Sequence, residues 1–267
     1  MSKVALIVFS KDRAMQLDAL LQTIEKYGKD FFRTNVRIIY KATALRFRAG
    51  YELVRQDHPH AEFLEEIDLK ADILSSMSDD YICMNSDDDL YCNPLPDPAV
   101  IEKALISDTA CFSLRLGLNI DYCHTMDSPI EMPRYEECGG FIKWNWAEGK
   151  YDFGYPLSIV GHVFRTSFIK ELTESIEFRN PNFYEERLQT CSGKIPPKMA
   201  SMILSCNYGV PVNLTNDSHK NRNGITHSYG LKELNDRLLG GERIDITNIP
   251  TVVRAAQTEI EYVFRKA

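Results

Sequence analysis

Asp80-Tyr-Ile-Cys-Met-Asn-Ser-Asp-Asp-Asp-Leu-Tyr91, written DYICMNSDDDLY, runs from a short apolar segment straight into three consecutive acids. Residues 80–84 read as a short buried strand, so Asp87, Asp88 and Asp89 crowd like charges where that strand ends. Such acids either face water and cap the next element or surround something positive. Working outward, Val4-Ala-Leu-Ile-Val-Phe9 is a continuous run of β-prone apolar residues, as expected of a strand covered on both faces. Ala14, Leu17, Leu20, Leu21 and Ile24 then recur at helical spacing, and Val36-Arg-Ile-Ile-Tyr40 supplies a second strand. A β-α-β start implies a right-handed crossover and a site at the carboxyl ends of the strands. The triplet falls at that edge.

Helices are expected over residues 43–56, 68–77, 98–107, 166–172 and 228–239, and strands over 110–116, 158–165 and 210–214. Residues 180–187 read as a loop entering a helix. The segment from Gly117 to Tyr155 loses periodicity and gathers aromatics, Pro and Gly, which marks a long irregular loop of functional kind. No repeat or linker divides the chain. One domain over 1–267 is expected, with a nucleotide-binding half of about 1–115 and an acceptor-binding half of about 116–267.

The 267 residues carry 44% hydrophobic and 26% charged side chains, the balance of a soluble globular protein. A net charge of −7 excludes a nonspecific nucleic-acid binder, which needs a positive footprint. The opening apolar run is too short for a signal segment or a membrane span, and no other window has membrane length. The expected location is cytoplasmic, with peripheral membrane contact left open. Seven cysteines, scattered and without a Cys-x-x-Cys pair, read as reduced thiols rather than a zinc site.

Two carboxylates separated by one residue after a fixed strand, Asp87 and Asp89, are a pair suited to one divalent cation. Mg²⁺ and Mn²⁺ take hard oxygen ligands and complete their shells with phosphates and water. Such an ion clamps a diphosphate and stabilises it as a leaving group. The competing reading is a turn in which one Asp caps and the others are solvated.

At these residues the chain resembles the nucleotide-sugar-dependent glycosyltransferases of the GT-A fold, especially those similar to glycosyltransferase family two. The resemblance rests on VFSKDRAMQLDALLQTI (residues 8–24), DDYICMNSDDDLY (79–91), VGHVFR (160–165) and NPNFYEERL (180–188), in that order, and covers Val4 to about Arg187. It implies an α/β, Rossmann-like GT-A fold, with a mixed, mostly parallel sheet flanked by helices. It also implies Asp87 and Asp89 as metal or phosphate-bridging ligands and Asp88 as a ribose or metal contact. The loop after the first strand, with Ser10, Lys11 and Arg13, would touch the nucleotide. An acid about a hundred residues later would deprotonate the acceptor hydroxyl; Glu185 and Glu186 match, with Glu185 preferred. A late His ligand is implied at His219, flanked by Lys220 and Arg222, with His227 as second choice. His162 would line the acceptor side.

The chain departs from the family where its second strand ends in Tyr40-Lys41-Ala42, a place where many relatives carry an Asp for the nucleobase. Lys70 and Asp72 are candidates for that pocket instead. Trp144, Trp146, Tyr151 and Tyr155 suit a sugar-stacking surface. The expected function is a Mn²⁺- or Mg²⁺-dependent transfer of a sugar from a nucleoside diphosphate sugar, foremost a UDP-sugar, to a glycan or lipid-linked glycan acceptor, with inversion. The alternatives are a Mg²⁺-dependent nucleotidyltransferase, which usually opens on a glycine-rich loop that FSKDRAMQL lacks, and a noncatalytic carbohydrate-binding module.

Overall fold

The structure is a computed structural model and describes residues 3–32, 35–211 and 229–267. β1 (Val4–Lys11) is buried along all but its last residue, because its unbroken apolar run is covered on both faces. Each fully buried Leu, Ile or Val there contributes about 1.5–3 kcal/mol. α1 (Ala14–Tyr27) and the short α2 (Lys29–Phe32) lead to β2 (Val36–Lys41), which pairs parallel with β1, Leu6 opposite Val36. α3 (Leu45–Asp57), β3 (Ala61–Glu65) and α4 (Leu69–Ser76) follow, and Asp68 caps α4 by accepting from the Ala71 amide. β4 (Tyr81–Ser86) returns beside β1, Val4 opposite Tyr81, and delivers the triplet to the carboxyl edge of the sheet.

β5 (Asp89–Tyr91), α5 (Pro98–Ala104) and β6 (Thr109–Ser113) come next. Residues 117–155 are less irregular than their sequence suggests. They hold β7 (Tyr122–Cys123), β8 (Ser128–Pro129), β9 (Tyr135–Glu137) and β10 (Phe141–Asn145). β11 (His162–Arg165), α6 (Thr166–Ser175), α7 (Pro181–Gln189), β12 (Lys198–Met202) and β13 (Asn207–Gly209) complete the second half. α8 (Leu231–Leu239) and β14 (Glu242–Ile244), which pairs antiparallel with β15 (Phe264–Lys266), pack against α1. Of the expected strand over 210–214, only Val210 and Pro211 lie within the described residues; the strand there ends at Gly209.

The main sheet has the order β3-β2-β1-β4-β11-β6-β12-β10-β9, and all of its strands but β10 and β11 run the same way. The expected α/β architecture with a mixed, mostly parallel sheet is therefore borne out. β11 is the decisive insertion. Antiparallel to both β4 and β6, it brings its amino end, not its carboxyl end, to the edge where β4 releases the acids. Gly161 makes this junction at φ +66°, with its amide on the Met84 carbonyl at 2.8 Å. A Cβ there would stand 2.7 Å from Asn207 Oδ1, so the position requires glycine on both counts.

Candidate active site

The carboxyl ends of β1, β2 and β4 open onto a cleft of about 360 Å³. β1 contributes Ser10 and Lys11 and then turns sharply at Asp12, whose φ of 59° is left-handed and tolerable to Asp only with support. Support comes from Thr43, whose amide and hydroxyl donate to the Asp12 carboxylate at 2.7 and 2.6 Å. The turn delivers Arg13 to the cleft, where its Nη1 donates to Asp87 Oδ1 at 2.9 Å and to Asp88 Oδ2 at 3.1 Å. Beneath it, the Ser10 hydroxyl donates to Asp87 Oδ2 at 2.7 Å and so accepts from the Tyr51 hydroxyl, also at 2.7 Å. Tyr51 accepts in turn from the Arg13 amide at 3.1 Å.

The triplet splits. Asp87 and Asp88 turn to Arg13, while Asp89 turns inward, its Oδ2 accepting from Asn85 Nδ2 at 2.8 Å and the Ser86 amide at 2.9 Å. Asp89 Oδ1 is buried with no hydrogen-bond partner, beside Gly209, where a Cβ would come within 3.1 Å of it. The three carboxylates therefore do not converge as one ligand set within 4.8 Å. Burial raises the carboxyl pKa of both Asp87 and Asp89 above the ordinary aspartate range, and the Asp88 charge pushes the same way. Arg13 beside Asp87 and Arg115 near Asp89 offset this only in part.

α7 begins at the same edge. Asn180 caps it by accepting from the Phe183 amide at 3.0 Å, Pro181 occupies its first position, and Asn180, Pro181 and Asn182 line the cleft with the helix's positive end. Tyr184 is fully buried with its hydroxyl 2.7 Å from Thr173 Oγ1, which fixes the rotation of the helix. As a result Glu185 turns in and Glu186 is exposed. Glu185 Oε1 accepts from Ser158 Oγ at 2.8 Å and from the Ile159 amide at 3.1 Å, both on the segment that leads into β11. Burial pushes the Glu185 pKa up, while these two hydrogen bonds and the Arg115 charge pull the other way.

No family model matches the chain. In sequence it is 28% identical over 193 residues to the bifunctional glycosyltransferase pgtA of Dictyostelium discoideum, a match that takes in 65% of this chain and 25% of that protein. The chain thus spans about a quarter of the curated relative's length. In structure it resembles residues 1–349 of S. aureus TarS solved in complex with UDP-GlcNAc, with a TM-score of 0.50 and 12% identity, over 83% of this chain and 61% of that one. The fold is GT-A. The resemblance to nucleotide-sugar glycosyltransferases drawn from the sequence motifs is borne out by the relative and by this architecture.

Within the GT-A frame the other expected site residues scatter. Lys11 is at the lip of the cleft, and Lys41 lines it while pairing with Glu66 at 2.7 Å. Lys70 is elsewhere: its ammonium donates to the Glu174 and Ile176 carbonyls and to Glu177 Oε1, tying α4 to the end of α6. Asp72 accepts from the Ile67 and Asp68 amides at the start of α4. Trp144 is core, 1% exposed, with Nε1 on the Phe153 carbonyl, because β10 is an interior strand of the sheet and not part of an open loop. Trp146 is half-buried on the Pro196 carbonyl, whereas Tyr151 and Tyr155 remain exposed. His162 is buried, and desolvation together with Arg115 lowers its pKa to about 3, so it is a neutral imidazole. His219 and His227 lie outside the described residues.

Four residues that organise the site were given no role by the sequence motifs. Asp12 and Tyr51 shape the first loop, and Asn85 holds Asp89. Arg115, 7% exposed and two residues past β6, places a positive charge near both Asp89 and Glu185. A lone Arg following an apolar strand, at the edge that β4 also reaches, was the one available signal for it.

Proposed function

We propose that the protein is a glycosyltransferase that moves one sugar from a nucleoside diphosphate sugar, a UDP-sugar foremost, to a hydroxyl of a glycan or lipid-linked glycan, with inversion. The observation that carries this reading is the cleft at the carboxyl edge, where Arg13 bridges Asp87 and Asp88 beside Lys11, Lys41 and the positive end of α7. The sequence relationship to a glycosyltransferase supports it. Residues 1–115 would hold the donor and residues 116–267 the acceptor, in a cytoplasmic setting. Among the described residues no helix is long and apolar enough to cross a membrane.

The donor set fits a divalent cation. Asp87 and Asp88 share the charge of Arg13, burial holds Asp87 and Asp89 toward their neutral forms, and one buried oxygen, Asp89 Oδ1, has no partner. Asp87 and Asp88 would hold Mn²⁺ or Mg²⁺ with hard oxygens, and Asp89 would back them from behind. When bound, such an ion supplies positive charge to a departing diphosphate. The chain's own part begins with Arg13 and Lys11, which orient the phosphates, and with Ser10, which fixes Asp87. Glu185 takes the proton from the acceptor hydroxyl while Ser158 and the Ile159 amide hold its carboxylate in place. Exposed Tyr155 and Tyr151 offer faces for sugar stacking.

Release of UDP from a panel of UDP-sugars with Mn²⁺ present, abolished in the double variant Asp87→Asn/Asp88→Asn, is the expected result. Pyrophosphate release from a nucleoside triphosphate would favour a nucleotidyltransferase. Glycan binding without turnover of any nucleotide sugar would favour a noncatalytic module.

A further inference from the structure

The opposite edge of the sheet, at the amino ends of the parallel strands, carries a second cluster. α1 leaves the cleft and runs across the sheet, so Glu25 in its last turn stands at the far edge. His58, which caps the carboxyl end of α3, and His60, just ahead of β3, come to the same place. His58 Nδ1 is 2.8 Å from Glu25 Oε1, and His60 Nε2 is 3.6 Å from the same oxygen. Among the described residues this is the group of three potential ligands whose donor atoms all lie within 4.8 Å of one another.

The supporting residues point the same way. The His58 side chain is 4% exposed, and its Nε2 faces Asp18 Oδ1 at 3.0 Å. Asp18, itself buried, accepts from Gln22 Nε2 at 2.6 Å and stands 3.6 Å from Arg243 Nε. Both ring nitrogens face carboxylate oxygens, which only accept, so Nε2 donates to Asp18 and Nδ1 to Glu25, and a metal ion would take the place of the Nδ1 proton. A carboxylate behind a histidine is the arrangement that orients an imidazole ligand and raises its basicity. Both elements end here in their negative helix poles, which favour a cation. His60 and Glu25 are part-exposed, which provides a path for entry.

We propose that Glu25, His58 and His60 form a three-ligand site for Zn²⁺, with a water in the fourth position, that links α1 to the turn between α3 and β3. Two imidazoles and one carboxylate select zinc-class ions over Mg²⁺ and Mn²⁺. The site is therefore distinct in chemistry, and by the width of the sheet in place, from Asp87 and Asp88. Tetrahedral zinc with bonds of about 2.1 Å needs donor atoms about 3.4 Å apart. The observed 2.8 and 3.6 Å bracket that figure, and all three donor atoms lie within 4.8 Å of one another.

The test is calorimetric titration of the chelator-stripped protein with ZnCl₂, and of Co²⁺ in parallel for visible absorption. Expected are one tight Zn²⁺ per chain, tetrahedral Co²⁺ bands, and a rise in melting temperature on zinc addition. His60→Ala should abolish all three while keeping the wild-type circular dichroism spectrum. Asp18→Asn should weaken zinc about 10- to 100-fold. Asp87→Asn/Asp88→Asn should leave zinc binding intact, which separates this site from the cleft. Equal affinity in wild type and His60→Ala, or no zinc uptake by the wild type, overturns the proposal.

Discussion

Replacing Glu185 by Gln separates a proton acceptor from a structural carboxylate. An amide of the same shape keeps an oxygen for Ser158 Oγ and the Ile159 amide, so the hydrogen bonds at 2.8 and 3.1 Å survive. What it loses is the ability to take a proton. General-base catalysis contributes about 10²- to 10⁴-fold, so kcat should fall by that factor, about 3–5 kcal/mol of barrier. The KM for the donor should stay, because Glu185 does not line the cleft. Burial holds the Glu185 pKa above the ordinary glutamate value. Its folded-state pKa therefore exceeds the unfolded one, and the ionised carboxylate costs stability at neutral pH. Glu185→Gln should consequently melt at the wild-type temperature or slightly above it. Wild-type activity should decline as pH drops through the raised pKa, an acid limb lying above the usual carboxylate range. The assay is UDP release across pH for wild type, Glu185→Gln and the exposed control Glu186→Gln. Wild-type turnover in Glu185→Gln, or a lowered melting temperature that accounts for the lost activity, would refute the assignment.

Tyr51→Phe removes the hydroxyl that links Ser10 Oγ and the Arg13 amide, and should cost about 1–3 kcal/mol in urea unfolding together with weaker UDP binding. Unchanged UDP affinity would mean that Tyr51 does not hold the first loop. His162 is predicted to be an acid-lability centre. With its pKa near 3 when folded and about 6.5 when unfolded, the unfolded state takes the proton first, so stability falls as pH drops below 6.5. The slope is about 1.4 kcal/mol per pH unit, or about 2 kcal/mol lost by pH 5. His162→Gln should flatten that slope in urea titrations, and an unaltered pH dependence would contradict it.

The parallel half of the sheet was legible because burial on both faces leaves a plain mark: β1 is apolar at six consecutive positions, and β4 ends where charge begins. β12, with sequence KMASM, shows no such mark, although Met199, Ala200 and Ser201 are all buried, since small and unbranched residues suit its crowded place. β10 was hidden for another reason. Its Lys143 is 5% exposed, with the ammonium reaching Asp108 at 3.5 Å, so the alternation reads as polar in sequence and as interior in space. The acids of the cleft were visible as a cluster, but their division was not. Which way each carboxylate faces depends on Asn85, Ser86 and Arg13, contacts that no spacing rule encodes. Trp144 erred in the same direction: aromatic content signals apolar surface to be covered, and covering by a core or by a sugar looks alike in sequence.

β11 joins the two sides of the site by backbone alone. Its register, His162 opposite Met84 and Val163 opposite Cys83, fastens the segment that grips Glu185 to the strand that ends in the acids. The spacing between the group that would accept a proton and the groups that would hold a diphosphate is thereby set by peptide geometry, not by side-chain choice. The hairpin and turns between β6 and β10 hang outside that fastening. A change within 117–140 would therefore act on the core through Ile120, Cys123 and Ile130 without resetting that spacing.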